Sequence, residues 1–169
     1  AEGRAVSDFG ARRAHNMDAA VYGARAAYIG GAAGTATVLA GEQFGIPVGG
    51  TMAHSYVMYY KDELTAFRKY ASIYPNNCIL LADTYNVLKS GVPNAIRVFT
   101  EMKEQGIPLT SYGIRLDSGD LAYLSKKARK MLDNAGFPDA RIVVSNSLGF
   151  QRLGRVHDSV TDRPGRAHR

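Results

Sequence analysis

Apolar and polar residues along this chain come in blocks that alternate between two rhythms. Three short apolar runs, CILLADTY (78–85), YGIRLDSGD (112–120) and RIVVSNS (141–147), are each closed by polar side chains. That is the pattern of strands buried on both faces of a parallel sheet. The segments between them have helical spacing. In 121–136, Leu121, Leu124, Ala128 and Met131/Leu132 form one apolar side and Gly136 supplies a stop. In 62–75, Leu64, Phe67, Tyr70 and Ala71 share a face, with Pro75 beyond its end. Residues 92–106 predict a third helix ending at Gly106, and the alanine-rich 17–31 a fourth, with Asp18 near its start and Gly30-Gly31 as a stop. TATVLAG (35–41) and IPVGGTMAH (46–54) predict two further short strands, and FGARRAH (9–15) the end of another.

Strands and helices in alternation, joined by a few residues, predict an α/β fold on a parallel sheet. Open doubly wound sheets and closed barrels share this pattern. About five strands are too few to close an eight-stranded barrel, so the expectation is a partial (β/α) barrel. One domain over 1–147 and a basic, disordered tail over 148–169 complete the predicted organisation.

The predicted strands end in chemically capable side chains: Arg12 and Arg13, then Thr51 and His54, then Asp83 and Thr84, then Arg115, Asp117 and Ser118, then Ser145 and Asn146. Parallel α/β folds build their active sites beyond the carboxyl ends of the strands. Taken singly, Asp120 and Asp83 also suit helix caps and Ser118 a turn; five clusters at one edge favour a pocket. Arginine beside a carboxylate suits a phosphorylated substrate, because a guanidinium binds phosphate bidentately and an aspartate can hold a ribose hydroxyl or Mg²⁺. His54 sits in a small-residue turn, GGTMAHSY, that leaves room for an anionic group at its ring. A carboxylate such as Asp83 on the ring's other N–H would select one tautomer and activate the free nitrogen.

Composition narrows the classes. The chain has 169 residues, 46% hydrophobic and 21% charged, enough for a real core. No apolar run reaches the roughly 18 residues of a membrane span, and no signal peptide is evident, so no membrane partner is expected and a cytoplasmic setting is. The single cysteine, Cys78, excludes an intrachain disulfide. Half of the net charge of +6 lies in the last 22 residues, which hold five arginines and two aspartates but no interleaved aromatic pattern. Nucleic acid is therefore not an expected partner. No GxxxxGK[ST], GxSxG or GxGxxG element stands in its required context.

The motifs DFGARRAHNMDAA, YIGGAAGTATVLAGEQFGIPVGGTMAHSYVM, LLADTY and GIRLDSGDLAYLSKKARKMLDNAGF, spread over residues 8–146, closely resemble the nicotinate phosphoribosyltransferase family. The resemblance implies a type II phosphoribosyltransferase-like barrel. It also implies conversion of nicotinate and phosphoribosyl pyrophosphate to nicotinate mononucleotide in NAD salvage, with ATP coupled and Mg²⁺ required. By position in the motifs, His54 is the histidine phosphorylated by ATP and Asp83 its orienting carboxylate. Arg115 is the arginine on phosphoribosyl pyrophosphate or nicotinate, and Asp117 lies near the ribose. Arg12 is the pocket arginine, Phe9 a ring that stacks on the pyridine, and Thr51 a nicotinate contact. Ser55 and Ser118 fall in the same substrate-binding motifs. Ala36 stands where the nicotinamide-specific sister family has an aspartate, which favours the acid substrate.

The family's N-terminal domain and a later glycine-rich phosphate segment have no counterpart in these residues, and the motif pattern stops after SNS (145–147). The resemblance therefore implies a central fragment of a homodimeric enzyme, inactive by itself. The alternatives are a catalytically inactive remnant kept as a binding or subunit-interaction module, and a nicotinamide-specific homologue.

Overall fold

The computed structural model describes residues 5–145. Asn146, Ser147 and the predicted 148–169 tail lie outside the described residues. The chain divides into two compact units after Gly50.

The first unit contains β1 (Ser7–Asp8), a 3₁₀ turn (Ala11–Arg13), α1 (Met17–Ile29), β2 (Gly34–Thr35) and α2 (Val38–Phe44). β1 and β2 pair in parallel, and Thr35 bridges to Val48. Asn16, rather than Asp18, caps α1 by accepting from the Ala19 N–H at 2.8 Å. Val21, Ala24, Ala40 and Ile46 form this unit's small core. Two expected strands are absent from their predicted places. The chain after Thr35 leaves the sheet and turns helical at Val38, and α2 runs through Gly41 to a left-handed Gly45. Gly41 was read as the end of a strand; it is a close-contact position inside a helix, where a Cβ would lie 2.1 Å from Val48 Cγ2. Residues 46–53 contribute only the Val48 bridge. Likewise the 9–15 stretch forms no strand, and its Ala11–Arg13 make a 3₁₀ turn following β1.

The second unit holds α3 (His54–Tyr59), α4 (Glu63–Ile73), β3 (Cys78–Leu81), a π-helical turn (Val87–Gly91), α5 (Val92–Glu104), β4 (Tyr112–Leu116), α6 (Leu121–Asn134) and β5 (Arg141–Val144). The three strands form one parallel sheet in the order β3-β4-β5. Parallel strands alternating with helices match the expected class; the described strands make two small sheets and no closed barrel. Cys78, Leu80, Leu81, Ile114 and Leu116 are fully buried beneath Phe67, Val98, Phe99 and Leu132 of the helices. Burial pushes the Cys78 thiol up to about 12, so it behaves as an apolar core residue. β5 was expected to be buried on both faces; it alternates between exposed and half-buried positions because it is the edge of this sheet among the described residues.

Register decides what lies at the carboxyl edge. Leu81 pairs with Arg115 and Leu116 with Val144, so Asp83, two residues beyond Leu81, and Asp117 and Ser145, directly after Leu116 and Val144, come out at a common edge. The π-helical turn presses against the end of β3: a Cβ on Gly91 would lie 1.8 Å from the Ala82 carbonyl oxygen. Only glycine permits that approach, one residue before Asp83.

Two buried charges escaped the sequence reading. Glu63 joins α4 to Asn94 of α5 and to Ser90, accepting from both side chains. It lines a cavity of about 450 Å³ with Lys61, Tyr85 and Asn94, away from His54. Arg129 of α6, on the helix's buried side, donates to Asp133 and to the Phe137 and Ala140 carbonyls at 2.7 and 2.6 Å. It thereby closes the turn leading into β5. Hydrogen bonds from a charged group contribute roughly 1.5–3 kcal/mol each, and a buried orphan carbonyl costs more than a pair removed together. Arg129→Met should therefore lower unfolding stability by about 3 kcal/mol in urea titration, and Arg129→Lys should recover little because an ammonium cannot reach both carbonyls. A loss below about 1 kcal/mol for Arg129→Met would show that water replaces these bonds.

Candidate active site

His54 begins α3, a six-residue helix whose N-cap, Ala53, makes no side-chain cap hydrogen bond. The helix is placed by packing instead. Val57 is fully buried, and the Tyr56 ring meets Tyr70 of α4 edge-on with centroids 6.1 Å apart. This docks the first turn of α3 at the carboxyl edge of the sheet. His54 Nδ1 lies 3.1 Å from Thr84 Oγ1, in the loop after β3. Nε2 faces two carboxylates, at 3.5 Å from Asp117 Oδ2 and 3.9 Å from Asp83 Oδ1. The nearer carboxylate is thus Asp117, whereas the sequence reading placed Asp83 alone against the ring.

Asp83 is almost completely buried and held from the next strand. Its Oδ2 accepts from the Asp117 backbone N–H at 3.0 Å and from the Ser118 hydroxyl. Its Oδ1 has no hydrogen-bond partner and is directed toward His54. Asp83 caps no helix; the following turn is capped by Asn86. Asp120 is the cap of α6, accepting from the Tyr123 N–H.

Arg115, near the end of β4, gathers three separate stretches. Its Nε donates to Ser145 Oγ at 2.8 Å, one terminal nitrogen to Thr51 Oγ1 at 2.8 Å, and the other to Asp117 Oδ1 at 3.0 Å. The Ser145 hydroxyl in turn donates to Asp117 Oδ1. Asp117 therefore spends one oxygen on Arg115 and Ser145 and turns the other to His54.

Of the residues singled out in the sequence, Thr51, His54, Asp83, Arg115, Asp117 and Ser118 form one network. Ser55 is exposed on α3 and makes no hydrogen bond to it. Phe9 and Arg12 are exposed in the first unit, in and beside the 3₁₀ turn. Thr84 and Ser145, noted in the sequence only as polar strand ends, each hold a member of the network directly. No residue pattern distinguishes such hydroxyls from ordinary turn formers; the sheet register does. Among the described residues no group of three His, Cys, Asp or Glu side chains forms a metal cage.

Burial alone would raise the Asp117 pKa. Hydrogen bonds from Ser145 and Arg115, the Arg115 charge and the contact with His54 outweigh it and hold the carboxyl below the usual range. The stability this contributes is complete above the ordinary aspartate value of about 3.9 and is lost as pH falls below it through the lower folded-state value. The stability gap between wild type and Asp117→Asn should accordingly be constant above about pH 5 and shrink toward pH 2 in urea titrations. A gap that does not change with pH would mean the carboxylate is not stabilised by this network.

Comparison with known proteins places the arrangement. The model of the "Nicotinate phosphoribosyltransferase (NAPRTase) family" matches residues 4–163. The match runs past Asn146, where motif-by-motif resemblance stopped, into the stretch read as divergent. The chain is 60% identical over 141 residues to nicotinate phosphoribosyltransferase of Bacillus subtilis, covering 83% of this chain and 28% of that protein. It is 47% identical over 156 residues to pncB2 of Mycobacterium tuberculosis, covering 92% and 33% respectively. The chain thus spans about a third of the length of the curated relatives it matches. The structure superposes on human nicotinic acid phosphoribosyltransferase with a TM-score of 0.83 at 28% identity, over 93% of this chain and 42% of that one. Nicotinate-nucleotide pyrophosphorylase from Pyrococcus furiosus shares the fold, with a TM-score of 0.78 at 24% identity. By family match, sequence identity and fold together, the chain belongs to the nicotinate phosphoribosyltransferase family.

Proposed function

We propose that this chain carries the phosphoryl-accepting centre of an enzyme that joins nicotinate to phosphoribosyl pyrophosphate, giving nicotinate mononucleotide and pyrophosphate for NAD biosynthesis. ATP drives the reaction through a phosphohistidine at His54. The observation that carries this reading is the setting of His54, with a hydroxyl at one ring nitrogen and two carboxylates facing the other. A histidine serving only to pack would not face two acids that are otherwise bound from behind by Arg115, Ser145 and Ser118.

As an imidazole nitrogen attacks the γ-phosphorus of ATP, an N–P bond forms, the P–O bond to the bridging oxygen breaks, and ADP leaves. Positive charge builds on the ring in that step, and Asp83 and Asp117 are placed to offset it. Arg115 keeps Asp117 ionised and fixed, and its guanidinium stands beside Thr51 at the edge where the ribose phosphates would enter. Both carboxylates are engaged with His54, Arg115 and the serine hydroxyls, and the described residues form no metal cage, so Mg²⁺ would be held by the phosphate oxygens of the substrates and by water. When bound, it neutralises polyphosphate charge. Phe9 and Arg12 keep the pyridine-stacking and pocket roles that the family motif gives them, Ser55 and Ser118 their substrate contacts, and Ala36 the preference for the acid over the amide. We assign the activity to a cytoplasmic homodimer of the whole enzyme, with these 169 residues inactive by themselves. That the curated relatives matched first are about three times as long supports the inactivity of these residues by themselves.

Incubation with [γ-³²P]ATP should label the protein in an acid-labile form, and His54→Ala should abolish the label; equal labelling of that variant would remove His54 from the reaction. In a full-length context, Arg115→Ala should raise KM for phosphoribosyl pyrophosphate about 10- to 100-fold, the equivalent of one charge-assisted hydrogen bond. Unchanged steady-state kinetics would confine Arg115 to a structural role.

A further inference from the structure

We propose that Thr84 is a positioning residue for His54: its hydroxyl donates to Nδ1 and selects the tautomer in which Nε2 carries the proton and presents it to the Asp83–Asp117 pair. The inference deepens the phosphohistidine reading and rests on it for its catalytic meaning, though the hydrogen-bond assignment stands on geometry alone.

A neutral imidazole has one donor and one acceptor nitrogen, and its neighbours decide which is which. Around His54 the neighbours of both ring nitrogens constrain the choice. Nε2 faces Asp117 Oδ2 and Asp83 Oδ1, both oxygens of carboxylates and therefore acceptors. A lone pair on Nε2 would meet like charge there, whereas an N–H meets two acceptors. The remaining oxygens of those acids cannot turn to relieve the conflict. Asp117 Oδ1 is held by Arg115 and Ser145, and Asp83 Oδ2 by Ser118 and the Asp117 N–H. Nδ1 must then accept, and at 3.1 Å it meets the Thr84 hydroxyl, which can donate to it. Thr84 follows Asp83 directly, so the same strand end sets the hydroxyl on one ring nitrogen and a carboxylate facing the other.

The consequence for phosphoryl transfer is geometric. The lone pair lies on Nδ1, and the Thr84 hydroxyl occupies it until a phosphoryl group replaces that contact. The Nε2 proton stays between the two carboxylates throughout. Thr84 thus fixes the ring plane and the protonation pattern without touching the substrate during resting binding, which separates its role from that of Asp83 and Asp117.

The test is ¹⁵N spectroscopy of the imidazole nitrogens of this chain at alkaline pH, where an ordinary imidazole is neutral. Wild type should show a protonated Nε2 and an unprotonated, hydrogen-bonded Nδ1. Thr84→Val, which keeps the shape and removes the hydroxyl, should lower the Nε2–H to Nδ1–H ratio about fivefold, as expected for one ordinary hydrogen bond. Thr84→Ser should restore it. A wild-type spectrum with Nδ1 protonated would overturn the proposal even if the valine variant fails to fold, and so would an unchanged ratio in Thr84→Val. Radiolabelling separates this result from the broader reading. A wild-type chain that shows the expected tautomer yet takes no phosphoryl group, in this chain and in full length, would sink the phosphohistidine and leave the Thr84 assignment standing.

Discussion

The guanidinium of Arg115 is the constraint on which the site depends. Its planar fork has fixed N–H directions, and it meets partners from three places far apart in the chain: Thr51 before α3, Asp117 after β4, and Ser145 after β5. An ammonium carries its three donors on a single nitrogen and lacks the spread of this fork. The fork satisfies all three only in a single arrangement, and so locates the segment that leads into His54 relative to the strand ends. Asp117 is the partner that matters most. With one oxygen committed to Arg115 and Ser145, its other oxygen has a defined direction, and that direction is toward His54.

Such an arrangement takes charged groups out of water, and a buried ion pair alone seldom offsets that cost. Here the cost is spread over neutral donors. Ser145 and Ser118 hydroxyls and the Asp117 N–H share the load on the two carboxylates. Asp83 Oδ1 is left without a hydrogen-bond partner, and it faces His54. The surrounding fold is correspondingly close-packed, with Gly91 allowing the π-helical turn to touch the end of β3 and Arg129 closing the turn into β5. The remaining strand-end groups of the site are engaged in holding the two carboxylates.

Much of this was legible from residue order. Helices over 62–75, 92–106 and 121–136 appear where apolar spacing predicts them, because each buries one face against a sheet and the spacing records that face. The three strands of the second unit appear for the same reason. The first unit was less legible. TATVLAG has strand-like composition, yet all but its first residue lie outside the strand, because Val48 requires the close approach that Gly41 allows inside a helix. Glu63 and Arg129 were not singled out in the sequence, which shows a side chain's charge but not the carbonyls and hydroxyls that can satisfy it in the interior.

The amino-acid order by itself determined which chemical groups would be available and that most would fall at strand ends, since a strand's interior must be apolar when helices cover it. It also determined the family, through motifs whose residues and spacing recur together. Which carboxylate approaches His54 most closely, which nitrogen meets Thr84, and which hydroxyls brace the acids were decided only by the fold. These depend on strand register and on a helix docked through Val57 and Tyr56, and a distance of a few tenths of an ångström is set by packing that no local pattern encodes.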